Sequence, residues 1–141
     1  MKTCIVYIQK KKLVNELSKL DSKEIVAGRL TTLNGFTFPQ GSFRVFSQDI
    51  VKQIILNKNI YPYWLPEDVA TGKLLLKIRH TKVELANIDI PNVEVLNSID
   101  SWTLKNTSHF RCKGSIGTKN KDRQDAKIMM KLHEKLENLL K

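Results

Sequence analysis

Two short stretches of the chain hold residue types able to do chemistry. The first is YPYWLPEDVATGKLLLK, Tyr61 to Lys77, where aromatics and prolines lead into Glu67 and Asp68 and then into an apolar, helix-like run. A carboxylate there can act as a general base toward a bound hydroxyl, with Tyr61, Tyr63 and Trp64 offering faces to a sugar or other polar ring. The same pair also suits the first turn of a helix after a proline, where acids meet the positive end of the macrodipole. The local pattern favours the helix terminus, and the spacing does not choose between the two roles. The second stretch is His109-Phe110-Arg111-Cys112-Lys113. If it is a strand, His109, Arg111 and Lys113 share one face. That face suits a diphosphate, with the imidazole on a divalent cation and the cations on phosphate oxygens. It equally suits a solvated, basic strand edge. Gly41-Ser42 is a third candidate: the glycine allows a turn, and it also allows close approach of the backbone to a ligand. His80 and His133 have no suggestive neighbours and read as surface residues.

These residues need elements to position them. Thr3 to Ile8 reads as a strand and Lys11 to Leu20 as a helix, with Leu13, Leu17 and Leu20 at helical spacing. Glu24 to Leu30 is strand-like, and Asn34-Gly35 signals a hairpin turn into Phe36 to Phe38. Pro39-Gln40-Gly41-Ser42 reads as a break, followed by a strand over Ser42 to Phe46. Ser47 is placed as the N-cap of a helix carrying Ile50, Val51, Ile54 and Ile55, ended by Asn57 to Asn59. Pro66 opens the next helix, which bears Val69, Leu75 and Leu76. Val83 to Ile88 and Val93 to Leu96 are read as short strands separated by Pro91, and His109 to Lys113 as another. Gly114 to Asn120 reads as a polar loop. The clearest element is a C-terminal helix from about Asp122 to Leu140, with Ile128, Met129, Leu132, Leu136, Leu139 and Leu140 on one stripe. Strands and helices interleave, so the class is α/β or α+β: a mixed sheet flanked by helices.

The 141 residues suit a single domain, 1–141. With 41% hydrophobic residues, 27% charged and no repeat or low-complexity tract, the chain is globular and not disordered. Its 24 Lys+Arg against 14 Asp+Glu leave a formal charge of +10, which favours nucleic acid, acidic membrane or phosphorylated small molecules. The cations are biased toward the end, at Lys105, Arg111, Lys113, Lys119, Lys121, Arg123, Lys127, Lys131 and Lys135, as on a phosphate-facing surface or in a merely lysine-rich chain. Cys4 and Cys112 are too few for a disulfide framework or zinc knuckle, so a reducing, cytoplasmic setting is expected. The apolar run Cys4 to Ile8 falls well short of the roughly 18–20 residues that span a bilayer, so neither a membrane segment nor a signal peptide is expected. Gly-rich phosphate loops, CxxC, HExxH and GxSxG are missing, which removes P-loop NTPases, zinc modules of those kinds and α/β-hydrolases. No zinc-finger, RRM or KH signature marks a nucleic-acid module.

The order of the motifs is more specific than any one of them. The strand Gly41-Ser42-Phe43-Arg44-Val45-Phe46-Ser47, then Asp49 and an amphipathic helix, then Glu67-Asp68-Val69 with Gly72, then the His109-Phe110-Arg111 strand resembles the C-terminal half of GT-A glycosyltransferases. The likeness is to the fringe and β-1,3-galactosyltransferase group and related microbial and viral proteins, and runs over about Glu24 to Leu140. It implies a partial GT-A-like fold with a long C-terminal helix, and inverting transfer of a sugar from a UDP-linked or other nucleotide-diphosphate donor to a hydroxyl of a sugar or protein acceptor. At matching positions, Asp68 would be the catalytic base, Glu67 would shape the pocket with Trp64 nearby, and Gly41 and Ser42 would line the donor floor. His109 would contact Mn²⁺ or Mg²⁺, or the diphosphate. Arg111 and Lys113 as phosphate partners follow from charge and alternation. The chain departs from the family pattern in lacking an acidic D-x-D before the Lys11 to Leu20 helix and the nucleotide-binding half ahead of it. The expectation is a glycosyltransferase-like domain needing that half, or a second chain, for activity. The alternative from a different class is a non-catalytic basic module that grips nucleic acid or another polyanion through the C-terminal helix and the His109 strand.

Overall fold

The computed structural model describes residues 5–113 and 124–140. In chain order the elements are β1 (Ile5–Ile8), α1 (Lys10–Leu17), β2 (Ile25–Leu33), β3 (Phe36–Phe46), α2 (Gln48–Leu56), a 3₁₀ turn (Lys58–Ile60), α3 (Glu67–Leu75), β4 (Thr81–Glu84), β5 (Asn87–Ile90), α4 (Val93–Ser98), α5 (Ser101–Asn106), β6 (His109–Cys112) and α6 (Asp125–Leu140). The fold is α/β, with two mixed three-stranded sheets in place of the single sheet expected. The chain divides into two compact units, Leu17–Leu85 and a second built from Met1–Glu16 with Ala86–Lys141. Cys4, the Gly114 to Asn120 loop, Lys119, Lys121, Arg123 and the expected helix start at Asp122 lie outside the described residues.

In the two-segment unit the sheet order is β1-β6-β5, with β6 antiparallel to β1 and parallel to β5. The His109 strand is therefore the middle of its sheet, which removes the reading of it as a solvated edge. Phe110 and Cys112 point from β6 into a core closed by Ile128, Leu132 and Leu136 of α6. Their i, i+4 spacing puts them on one stripe, as the sequence pattern demands; Met129 and Leu139 pack at its margin. Val93 to Leu96, expected as a strand, is helical because the Asn92 side chain accepts from Val95 N at 2.8 Å and caps the first turn of α4. Asp100 does the same for α5, accepting from Thr103 N at 2.8 Å and from its hydroxyl at 2.6 Å. These bonds hold the Asp100 carboxyl below its ordinary pKa. Lys135 Nζ donates to the carbonyls of Leu96 and Ile99, both at 3.0 Å, so this cation is spent at the carbonyl end of α4. His133 is exposed, as expected, yet its Nδ1 lies 2.9 Å from the Tyr7 hydroxyl.

In the Leu17–Leu85 unit the sheet order is β3-β2-β4, with β2 antiparallel to β3 and parallel to β4. Asn34 (φ 49°) and Gly35 (φ 81°) make the expected turn between β2 and β3. The break expected at Pro39 to Ser42 falls inside β3 instead. The register moves from Gly28↔Arg44 to Leu30↔Pro39, so two steps along β2 meet five along β3, and the excess bulges out at Gln40 to Phe43. Pro39 is tolerated because β3 is an edge strand. The bulge bends the strand around Gly28, where a Cβ would stand 2.6 Å from the Phe43 carbonyl oxygen. Ser47 occupies the N-cap position of α2, but its hydroxyl makes no cap bond. It accepts from Ile25 N at 3.0 Å, tying the helix entry to β2. A hydrogen bond from Ser47 and another from the Glu24 amide hold the Asp49 carboxyl below its ordinary pKa. Val26, Ile50, Leu74, Leu75 and Ile78 form the core. The expected strand Val83 to Ile88 is two strands, β4 and β5, one in each sheet.

Candidate functional site

Helix α3 rests on β3, and the contact is made close by Gly72. A Cβ at that position would lie 2.5 Å from Phe38 Cβ and 2.6 Å from Phe38 Cγ, well inside contact distance. This approach sets the first turn of α3 beside the bulge of β3. A Cβ at Gly41 would meet Glu67 Oε2 at 3.4 Å and Asp68 Cβ at 3.6 Å. Two segments about 25 residues apart in sequence, both singled out by residue type, thus come together. Ser42 follows in the same bulge, half-buried.

The two acids take different roles. Asp68 Oδ1 accepts from Val69 N at 2.9 Å, so it serves the amide end of its own helix as the local pattern expected. Glu67 faces a cleft of about 450 Å³, a volume suited to a small ligand. Its carboxylate pairs with Arg44, whose side chain is only 17% exposed against 65% for Glu67. Burial lowers the Arg44 pKa, and nearby Tyr61 and Asp68 oppose that shift. Arg44 Nη2 holds Glu67, while Nη1 is buried with no hydrogen-bond partner among the described residues. The guanidinium also lies 5.9 Å from the Phe46 ring centroid.

The aromatic segment before α3 forms one wall. The Tyr61 hydroxyl donates to the Glu67 carbonyl at 3.2 Å and lies 3.1 Å from Thr71 Oγ1, which fastens the segment to the first turn of α3. Tyr61 and Tyr63 pack with ring centroids 4.9 Å apart, and both line the cleft. Phe46, Val51, Ile54 and Ile55 supply the opposite, apolar wall, with Lys58 at the margin. Trp64 faces elsewhere, into a separate cleft with Lys73 and Lys77.

His109, Arg111 and Lys113 belong to the other unit. His109 is 1% exposed in the middle strand, and Arg111 lies 3.9 Å from Asp89, its cross-strand neighbour on β5. Among the described residues no three of His, Cys, Asp and Glu gather as cation ligands.

Arg44 is the residue that sequence reasoning passed over. Its signal was present: a lone cation in the otherwise uncharged strand Ser42-Phe43-Arg44-Val45-Phe46. Comparison of the chain with protein-family models, curated proteins and solved structures found no match.

Proposed function

We propose that the protein is glycosyltransferase-like and binds a nucleotide-diphosphate sugar, UDP-linked, for transfer of the sugar to an acceptor hydroxyl. The observation that carries this reading is the meeting of the Gly41-Ser42 bulge with Glu67 and Asp68 beside the aromatic-walled cleft. It uses residues of one unit alone. Arg44 Nη1 supports it, because a buried donor without a partner costs free energy that a sugar hydroxyl or phosphate oxygen would recover. In the transfer, an Asp68 carboxylate oxygen takes the acceptor's hydroxyl proton. The acceptor oxygen then bonds to the anomeric carbon as the bond from that carbon to the diphosphate oxygen breaks, and the nucleoside diphosphate leaves. Asp68 Oδ1 is engaged with Val69 N, so Oδ2 is the oxygen assigned to this proton.

Saturation-transfer NMR with UDP-glucose, UDP-galactose and UDP-N-acetylglucosamine tests the reading. Sugar-ring resonances should receive saturation from the wild type and lose it in Glu67→Gln, whereas Asp68→Asn should keep binding. Absence of contact with any nucleotide sugar would sink the proposal.

A second reading has its own observation. In the other unit Lys10, Lys11, Lys12 and Lys105 line a cleft of about 450 Å³ in which Glu137 is the acid. Such a cluster suits a polyanion, including nucleic acid, without catalysis. Its affinity should fall steeply with salt through counterion release, while nucleotide-sugar contacts in the Glu67 cleft should not.

A further inference from the structure

Residues Ile60 to Trp64 alternate between two clefts. Tyr61 and Tyr63 line the one beside Glu67, and Ile60, Pro62 and Trp64 line a second of about 520 Å³. This second cleft uses neither carboxylate, and the function proposed above leaves it unexplained. Its apolar side chains are unusually open to solvent: Trp64 is 82% exposed, Leu76 60% and Ile60 48%. Single exposed apolar residues are ordinary, but three large ones around one hollow mark an interaction surface. The hollow is also lined by Lys73 and Lys77, both exposed, and by no acid.

That combination selects an occupant. A purely apolar partner would leave two ammonium groups without counter-charge, and a purely anionic one would leave Trp64 and Leu76 in water. A bilayer surface with anionic headgroups answers both. Indole settles at the depth of the headgroups, where its ring is shielded and its N–H stays hydrated. Lysines at the margin meet phosphates and carboxylates, and their long stems let the ammonium stay at the water side. No helix among the described residues is long and apolar enough to cross a membrane, so the contact is with the surface. We propose that the Ile60, Trp64 and Leu76 face, rimmed by Lys73 and Lys77, docks this unit on an anionic lipid surface.

The test uses the whole chain with phosphatidylcholine vesicles, with and without phosphatidylserine. The chain has two tryptophans, so Trp102→Phe leaves Trp64 as the only indole reporter. Its emission should shift to the blue with phosphatidylserine vesicles and stay in place with phosphatidylcholine alone. In co-sedimentation, Trp64→Ala should lower partitioning about tenfold. Replacing Lys73 and Lys77 by Gln should lower it about fivefold per lysine. The same change at Lys10 and Lys11 should do less, which separates this face from the general basicity of the chain. All these side chains are exposed or rim a cleft, so the variants should fold, and circular dichroism would check that. Three outcomes would overturn the proposal: no sedimentation with either vesicle, equal binding to both, or binding unchanged in Trp64→Ala and the Lys73/Lys77 variant.

Discussion

The two units bury their cores by different means. In the Met1–Glu16 and Ala86–Lys141 unit, a long amphipathic helix lays Ile128, Leu132 and Leu136 against Phe110 and Cys112 of the middle strand. Large side chains fill the space, and stability comes from apolar area removed from water. In the Leu17–Leu85 unit the core cluster is smaller, and α3 reaches β3 only because Gly72 has no side chain to obstruct Phe38. Backbone proximity there does what side-chain bulk does in the other unit. Both units leave large apolar side chains in solvent, Trp64 and Leu56 in one and Trp102 and Met130 in the other, but the unit that relies on proximity holds the paired Arg44 and Glu67. Recesses occur in both units, but those beside α3 are walled by aromatic and apolar side chains, whereas the one beside α6 is lined by Lys10, Lys11, Lys12 and Lys105.

The largest effect should come from emptying the filled core. Leu132 is fully buried, and Leu132→Ala should cost about 2–5 kcal/mol, transfer and cavity terms together. The next should come from the opposite error in the other unit. Gly72→Ala adds one methyl where none fits, and should cost about 1–3 kcal/mol as α3 and Phe38 move apart. Urea denaturation gives both values, and amide exchange in α6 and α3 locates them. If Gly72→Ala were neutral while Leu132→Ala was costly, the contrast between proximity and bulk would fail. The two are informative together because one removes atoms and the other adds them.

This contrast also explains what the sequence made legible. Side-chain bulk leaves a period, so α6 was readable from Ile128, Leu132 and Leu136 and α2 from Ile50 and Ile54, while the Asn34-Gly35 turn was readable from its demand for positive φ. Proximity leaves none. The five-against-two register step in β3 cannot be seen from Pro39-Gln40-Gly41-Ser42, which reads as a break because proline and glycine usually end strands. Val93 to Leu96 misled for a related reason: β-branched content suggested a strand, and one side-chain cap from Asn92 outweighed it. At the site, residue types picked out Gly41, Glu67 and Asp68, and the fold joins them. The pairing of Glu67 with Arg44, and the turning of Trp64 into another cleft, depend on which way side chains leave a bulged strand and an extended loop. No spacing rule carries that.

The Arg44 and Glu67 pair offers a third, smaller test, and an asymmetric one. Glu67→Gln leaves a guanidinium that is mostly buried without its counter-charge, whereas Arg44→Met leaves a carboxylate that is mostly solvated. The first should therefore cost more, about 1–2 kcal/mol, between the values for surface and buried pairs. The second should cost about 1 kcal/mol or less, since the methionine keeps the packing against Phe46. Equal costs, measured in urea at neutral pH, would mean that Arg44 is better solvated than its burial indicates.

The smallest effect on stability should accompany the sharpest effect on the site. At Gly41 an added Cβ would meet Glu67 Oε2 at 3.4 Å and Asp68 Cβ at 3.6 Å, which is ordinary contact, and the residue lacks the positive φ that would strain an alanine. Gly41→Ala should thus change stability by no more than about 0.5 kcal/mol. Yet the methyl would stand against the Glu67 carboxylate and the Asp68 Cβ, where the proposed donor sugar must approach the backbone. If the bulge is a ligand floor, Gly41→Ala should abolish saturation transfer to the sugar protons while the urea midpoint stays in place. If instead the glycine only eases the chain through the bulge, transfer and midpoint should move together or not at all. Gly72→Ala supplies the reference for the second case, because its cost lies in packing and should lower binding only as far as it lowers the folded population.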